Sequence, residues 1–582
     1  MMFIMRRVFT FIVALCFMSS LCLPALADTW DLTQGSVSVG FQNDAQHVTQ
    51  GSTTKQDSNP VITSNGTATS NTITISSGEG QTAKVTVDNV NIQTDHGTSG
   101  INVTNGSTVE MTVSGTNSVS VMGTGDGETS TTTGNAAAVH IADADVTIQG
   151  DGNGGNVLNV NSESKHKTSN GAGIGSNEGE DFDGTLTITG DVTVTGEGAY
   201  SGAGIGAGKN GEFSGTLNIT DGANVIGESS DDGAAIGGGY GASKSGDFTG
   251  EINIVNANVT ANSYKNGAGI GGGRGGDFSG NLNIENSDVR ARTGYTGQTS
   301  SGSWGFGGNG AAIGGGYNGD FTGSVSIKDS SVNATTLNDG AAIGAGGIDN
   351  NNQTAVFSGS LVIDNSTVTA EAVNQGIAIG APGLSSKHTG GDGEFTGSIE
   401  INGNSKLNLL DGKNAENGDV ALIGANGVSS GSITIEDIVQ VNAWSGTIDK
   451  SKLSYDRDSY LSATESGGQY TSVGMDVLED ITNGAEVEIV FVPKPAAEVL
   501  VYRFWDDVET KIKTADKGDT ITINVKERTS IPVRILELVA EYEITLIIQW
   551  NGGEDIIVTA DHGVEVDAQT ILLAELTALL NK

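Results

Sequence analysis

The sequence predicts an all-β chain: a parallel β-helix with about three short strands per coil, followed by a small α/β module. Three observations carry that prediction. First, a phrase built on Gly-Ala-(Gly/Ala)-Ile-Gly recurs eight times between Gly171 and Gly424, with isoleucines at Ile174, Ile205, Ile236, Ile270, Ile313, Ile343, Ile379 and Ile423. A period of this length marks a solenoid. Second, seven copies carry a phenylalanine (Phe182, Phe213, Phe248, Phe278, Phe321, Phe357, Phe395) with Gly two residues later, and Ser429 replaces it in the last copy, as a capping coil would. Third, apolar residues alternate with period two in runs such as Thr185-Leu186-Thr187-Ile188-Thr189 and Ser324-Val325-Ser326-Ile327-Lys328, and a second short run, such as Val259-Thr260-Ala261, closes each copy. A coil of this kind buries about six apolar side chains at roughly 1.5–3 kcal/mol each. That is less than the entropy of ordering its residues, so only the stack is stable.

Taken in order, residues 1–27 read as a secretory signal: Arg6 and Arg7 are the basic region, Val8 to Leu23 the apolar core and Ala25-Leu26-Ala27 the cleavage site, so the mature chain begins at Asp28. Residues 28–60 read as a loosely ordered N-terminal cap around Trp30-Asp31-Leu32 and the alternating run Ser36-Val37-Ser38-Val39. Residues 61–436 form the coils. The early ones, from Thr72-Ile73-Thr74-Ile75 to Val119-Ser120-Val121, keep the alternation without the Ile-Gly phrase. Beyond Ile435 the period fades, and 437–492 reads as the C-terminal cap. Pro493-Lys494-Pro495 opens a linker over 493–498, since two prolines so close do not fit a paired strand. Residues 499–582 read as the α/β module: helical spacing at Phe504 to Ala515, a strand over Thr520 to Val525, a helix from Pro532 to Val539, a strand over Thr545 to Trp550 before an Asn551-Gly552 turn, and a helix from Ala568 to Leu580.

Composition narrows the function. The chain has 582 residues, 88 glycines, 6 prolines and 5% aromatics, with no G-X-Y period. Both cysteines, Cys16 and Cys22, lie in the leader, so the exported protein has no disulfide or thiol chemistry. Processing removes two of the 28 basic residues and none of the 69 acids, leaving a net charge of about −43. Nucleic acid and anionic membrane are poor partners for such a surface, and cations are favoured. No other apolar stretch reaches membrane-spanning length. The chain is expected to be secreted or associated with the cell surface, and to act as a monomer.

The opening Trp30-Asp31-Leu32 with Gly35-Ser36-Val37, the Thr72-to-Ile92 coil and the eightfold phrase resemble a family of secreted and cell-surface Firmicutes proteins described as carbohydrate-binding domain-containing. The resemblance covers roughly Asp28 to Ile435. It implies a right-handed parallel β-helix like that of pectate lyases, used for binding rather than cleavage. The tail around Trp505-Asp506-Asp507-Val508, Asp519 to Ile523 and Ile531 to Leu536 looks like a small module appended to clostridial surface proteins. No Leu-Pro-x-Thr-Gly sorting motif is present, a departure that counts against covalent wall anchoring.

Two site readings follow. The acids before the repeated phenylalanine, Asp181, Glu212, Asp247, Asp277, Asp320 and Glu394, form a column interrupted by Val356. They either hold calcium between coils with loop carbonyls or cap turns in water; no cofactor is otherwise required. The insertion Gly294 to Asn309 carries Tyr295, Trp304 and Phe306, with Tyr240, Tyr264 and Tyr317 near the same turns of neighbouring coils. Aromatic faces beside hydroxyls and amides hold sugar rings; alternatively, the loop folds its aromatics onto the solenoid. Catalysis is not expected. Arg274, Arg290 and Arg292 do not fall in a lyase-type acid cluster, the pairs at His96-Gly97 and His562-Gly563 read as turns, and the histidines lack metal-ligand spacing. The sequence therefore points to a non-catalytic, adhesin-type protein recognising polysaccharide or a cell-surface glycan, with a polysaccharide lyase or hydrolase and a structural spacer as the alternatives.

Overall fold

The structure, a computed structural model, describes residues 27–493 and 505–580 apart from short internal stretches, the longest being 122–134, 295–307, 383–392, 412–420 and 471–485. The chain divides into two units: Met1–Asp456 with Leu461–Val492, and Pro493–Lys582 with Arg457–Tyr460.

The first unit is a parallel β-helix. Three long sheets of 14, 15 and 15 strands run its length, and apart from antiparallel strands at the ends each strand is hydrogen-bonded to its counterparts in the neighbouring coils. One coil shows how the repeat builds them. Ile205–Gly206 lies in the second sheet, Phe213 turns the corner, Thr216–Thr220 lies in the first sheet and Asn224–Ser229 in the third, before Ile236–Gly237 begins the next coil. Register is strict: Ile205 pairs with Ile236, Leu217 with Ile252, Ile219 with Ile254 and Val225 with Val259. All eight are buried, because the period of two in each strand sends alternate side chains inward. The phenylalanines form a fourth, thinner ladder of single parallel bridges from Phe182 to Phe357. Their rings stack with centroids 4.5–5.2 Å apart, close to the inter-strand spacing.

The second residue of every Ile-Gly pair shows why the phrase tolerates no substitute. From Gly175 to Gly424 these glycines have φ between +125° and +146°, a region that side-chain-bearing residues rarely occupy. A Cβ on Gly206 would also lie 2.1 Å from the Gly237 carbonyl oxygen of the next coil.

Both ends differ from expectation. Residues 28–60 carry four ordered strands. Thr29–Asp31 pairs in parallel with Val61–Thr63, and Val37–Gln42 pairs in parallel with Ile73–Ile75 on one side and antiparallel with Ala45–Gln50 on the other, which in turn pairs with Thr53–Gln56. The reversal occurs at Asn43 and Asp44, both at positive φ, the turn geometry that suits the twist of a hairpin. At the other end the stack continues past 436: Val439–Trp444, Thr447–Ile448 and Leu453–Tyr455 extend the three sheets by another coil. Glu486–Pro493 then pairs antiparallel with Val439–Trp444.

The second unit mixes strands and helices, as expected. Thr520–Lys526 pairs in parallel with Thr545–Trp550, which pairs antiparallel with Ile556–Thr559. The helices Val533–Glu541 and Leu573–Leu580 and the helical residues 508–513 supply Val508, Ile512, Ile535, Val539, Leu573 and Leu576 to one core with Ile523, Leu546 and Ile548. Two expected helix boundaries move. Pro532 ends a short strand, Ser530–Pro532, before the helix starts, and Thr570–Leu572 pairs with that strand rather than beginning the last helix. Ile571 is buried and Leu572 exposed, an alternation too short to stand out against the leucine-rich run behind it. Asn551-Gly552 and most of 493–498 lie outside the described residues. Among those described, no helix is long and apolar enough to cross a membrane.

Candidate functional site

Each coil passes from the second sheet to the phenylalanine corner through a glycine-rich turn, and the fourth residue after the repeated isoleucine stands on the outside of that turn. From coil to coil this position is Glu178, Lys209, Tyr240, Arg274 and Tyr317. Backbone hydrogen bonds set these residues over one another: Gly179 donates to the Lys209 carbonyl, Asn210 to Tyr240, Gly241 to Arg274 and Gly275 to Tyr317, at 2.7–3.1 Å. A second set ties the column to the residue that opens each phrase in the preceding coil. Tyr240 N–H donates to Ser201 O, Arg274 N–H to Asp232 O and Tyr317 N–H to Asn266 O. The two columns therefore form one ledge along the helix axis.

Arg274 is the centre of the ledge. Its guanidinium carbon lies 5.6 Å from the Tyr240 ring centroid and 5.9 Å from that of Tyr317, one coil to either side, within the range of a cation–π contact. Nη1 also lies 3.5 Å from Asp232 Oδ2. Burial works against this cation, but Asp232 and the two tyrosines outweigh it and hold its pKa above the ordinary value. Asp231 and Asp232 are 6% and 4% exposed. Lys265 Nζ pairs with Asp231 at 2.5 Å, and Asn266 Nδ2 donates to Asp232 Oδ1 at 2.7 Å. The amides continue the ledge, Asn309 donating to Asn266 at 3.0 Å and Asn338 to Asn309 at 2.6 Å. Tyr200 joins the cluster, its phenol pKa raised by burial and then by Asp231 and Asp232. The buried Ser201 hydroxyl beside them finds no hydrogen-bond partner among the described residues.

Of the expected sugar-binding residues, Tyr240 and Tyr317 are thus brought together, with Arg274 against one face of each. Tyr295, Trp304 and Phe306 lie outside the described residues, but the roots of their insertion are placed. Gly294 N–H donates to Ser263 O, and Gly308 and Asn309 N–H both donate to Lys265 O, so the insertion leaves and returns beside the ledge. Sequence reasoning did not single out Arg274 as the bridge, nor Asp231, Asp232, Lys265 and Asn266. Aligning the repeats on their isoleucines would have shown the column.

The acid column takes a definite form. Asp181 Oδ1 accepts from the Glu212 N–H at 3.0 Å, Asp247 from Asp277 at 2.8 Å, Asp277 from Asp320 at 2.8 Å and Asp320 from Val356 at 2.9 Å. Each of these carboxylates caps the backbone of the next coil, across coils rather than within a turn in water, so a valine can follow Asp320 without breaking the pattern. Burial raises the pKa of Asp277, and raises that of Asp320 to about 6, with Asp277 and Glu394 adding to the latter. Calcium takes six to eight oxygens. Among the described residues no three acidic, histidine or cysteine side chains gather as a metal would require. His562 Nδ1 accepts from the Thr559 N–H at 3.0 Å, closing a local turn.

Compared with protein-family models, with curated proteins and with solved structures, the chain matches none.

Proposed function

We propose that this is an extracellular, non-catalytic binding protein whose β-helix holds a polysaccharide along its axis at the Tyr240–Arg274–Tyr317 ledge. The observation that carries this reading is the ledge itself. Phenol hydroxyls, a guanidinium fixed between two rings and a line of asparagine amides follow one another at the coil spacing of ~4.8 Å, a step comparable with one sugar residue of a linear chain. Because Arg274 occupies one face of each tyrosine, those residues contribute hydroxyls and ring edges more than an open platform. The ring face that a sugar stacks on is assigned to the insertion bearing Tyr295, Trp304 and Phe306, whose roots meet the ledge.

A glycan array on the chain from Asp28 identifies the ligand, and pull-down with that polysaccharide tests the site. Arg274→Ala is expected to weaken retention about tenfold, ~1.4 kcal/mol, and Trp304→Ala by at least as much. Retention unchanged in both variants would remove the ledge from consideration. Growth of ultraviolet absorbance on polygalacturonate would replace binding with a lyase.

A further inference from the structure

Asp57 is a buried carboxylate in search of a cation. It is 3% exposed, and its oxygens accept from three neutral donors: Oδ2 from the Trp30 indole N–H at 3.0 Å and the Asp28 backbone N–H at 3.2 Å, Oδ1 from the Asn59 N–H at 3.2 Å. A buried charge ordinarily has an opposite charge beside it. Lys55, the basic side chain nearest in sequence, is paired instead with the side chain of Asp28. One of the three donors is not destined to stay neutral. Asp28 follows Ala27, which is exposed and ends the small-residue sequence read above as the cleavage site.

We infer that removal of the leader at Ala27–Asp28 completes the N-terminal end of the β-helix, by converting the Asp28 amide into an α-ammonium that pairs with the Asp57 carboxylate. The inference rests on the reading of residues 1–27 as a secretory signal. Hydrolysis breaks the Ala27 C–N bond. Water supplies the hydroxyl to the Ala27 carbonyl carbon and a hydrogen to the Asp28 nitrogen, and the proton released by the new Ala27 carboxyl is matched by the one the amine takes up near neutral pH. A neutral N–H donor thus becomes a cation without moving.

The consequence reaches beyond one contact, because Asp57 is tied into the hairpin that flanks the first coil. Its N–H donates to Gln46 O at 3.1 Å, and Gln46 Nε2 donates back to Asp57 O at 3.0 Å and on to Lys84 O at 2.9 Å. Gln46 Oε1 accepts from Lys84 N–H at 2.8 Å. The new ion pair therefore fastens the strand Thr29–Asp31 to the hairpin Ala45–Gln56 and, through Gln46, to the strand Thr82–Asp88. Before processing, the Asp57 carboxylate meets uncharged donors, and the charged tie of this strand to the hairpin is the exposed Lys55–Asp28 pair; an ammonium in place of the amide adds the opposite charge that a buried carboxylate ordinarily has.

The test compares two full-length chains, one starting at Asp28 with a free amine and one extended at the N-terminus by Gly-Ala, each with Asp57 and with Asp57→Asn. Hydrogen–deuterium exchange is read over residues 29–56. At pH 6.5 the extended chain is expected to exchange about tenfold faster than the chain with the free amine, the ratio that one pKa step represents. The groups facing the amine are Asp57, the Asp28 carboxylate and, through the latter, Lys55, all present in both wild-type chains. The difference is fully present below the unfolded α-amine value of ~7.7–8.0 and is lost as pH rises through the higher folded value. Equal exchange at pH 6.5, a difference that persists at high pH, or one that survives Asp57→Asn overturns the ion pair. Mass spectrometry of the chain secreted by its own host decides the processing step separately: a mature N-terminus at Asp28 supports it, and one elsewhere overturns it whatever the exchange shows.

Discussion

Replacing Asp320 with asparagine should stabilise this protein at pH 8, although it removes a half-buried, hydrogen-bonded carboxylate. Asparagine keeps an oxygen for the Val356 N–H, which Asp320 accepts at 2.9 Å, and discards the charge. The cost of that charge follows from its pKa, raised from 3.8 to about 6 by burial and by Asp277 and Glu394. An acid whose folded pKa lies above its unfolded value binds its proton more tightly when folded. Its contribution is therefore greatest below 3.8, declines as pH rises through about 6 and is flat beyond. The gap between the two values corresponds to about 3 kcal/mol. Solvent reaches part of the side chain, so the expected gain from the asparagine is about 1–3 kcal/mol at pH 8 and close to zero at pH 4. Urea denaturation of both chains at the two pH values measures it, and the difference between chains cancels the titrating groups that do not interact with Asp320. An Asp320→Asn chain less stable than wild type at pH 8, or a gain of equal size at pH 4, would refute the reasoning. The first outcome would also favour calcium, since a bound cation rewards that carboxylate for staying ionised well beyond what the Val356 N–H does.

For the same reason a chelator should leave the melting curve unchanged, and a fall of several degrees on adding EDTA would contradict the backbone-capping geometry. Gly206→Ala is expected to cost more than about 3 kcal/mol, because the residue sits at φ +137° and the new methyl meets the Gly237 carbonyl; a folded variant with an unshifted melt would exclude it. Phe278→Ala should cost about 3–5 kcal/mol as a core truncation. Phe182→Ala should cost less by about 0.5–1.5 kcal/mol, since Phe278 stacks on Phe248 and Phe321 while Phe182 stacks only on Phe213 among the described rings. Equal losses in denaturant melts would mean that the rings pack independently.

The interior was readable in advance because stacking makes neighbours of like residues. Ile205 meets Ile236, Phe248 meets Phe278 and Gly237 meets Gly271, so a column that works in one coil works in all, and repetition exposes it. The N-terminal hairpin was missed because the partner strand Ala45–Gln50 buries only Val48 among its apolar residues. The rest of its order comes from Gln46, whose amide supplies the Lys84 backbone with the bonds a strand would make. Such a substitution leaves no periodic trace. Thr570–Leu572 was hidden by three residues of alternation inside a run that otherwise favours helix.

The ledge was obscured by the opposite circumstance. The column Glu178, Lys209, Tyr240, Arg274 and Tyr317 occupies equivalent backbone positions, yet no two neighbours are alike. Identical charges there would repel across one coil spacing. The order found places Lys209 3.6 Å from Glu178 and Arg274 between two rings, so that each cation lies beside an anion or a π face. Solvent-facing positions are released from the demand for sameness that packing imposes on the isoleucines and phenylalanines. An aperiodic yet mutually compatible column on a strictly periodic scaffold is therefore where selection for a ligand can act without disturbing the fold. On the proposed reading, the binding chemistry of this solenoid lies in the side chains that depart from the repeat at a corner whose backbone keeps to it.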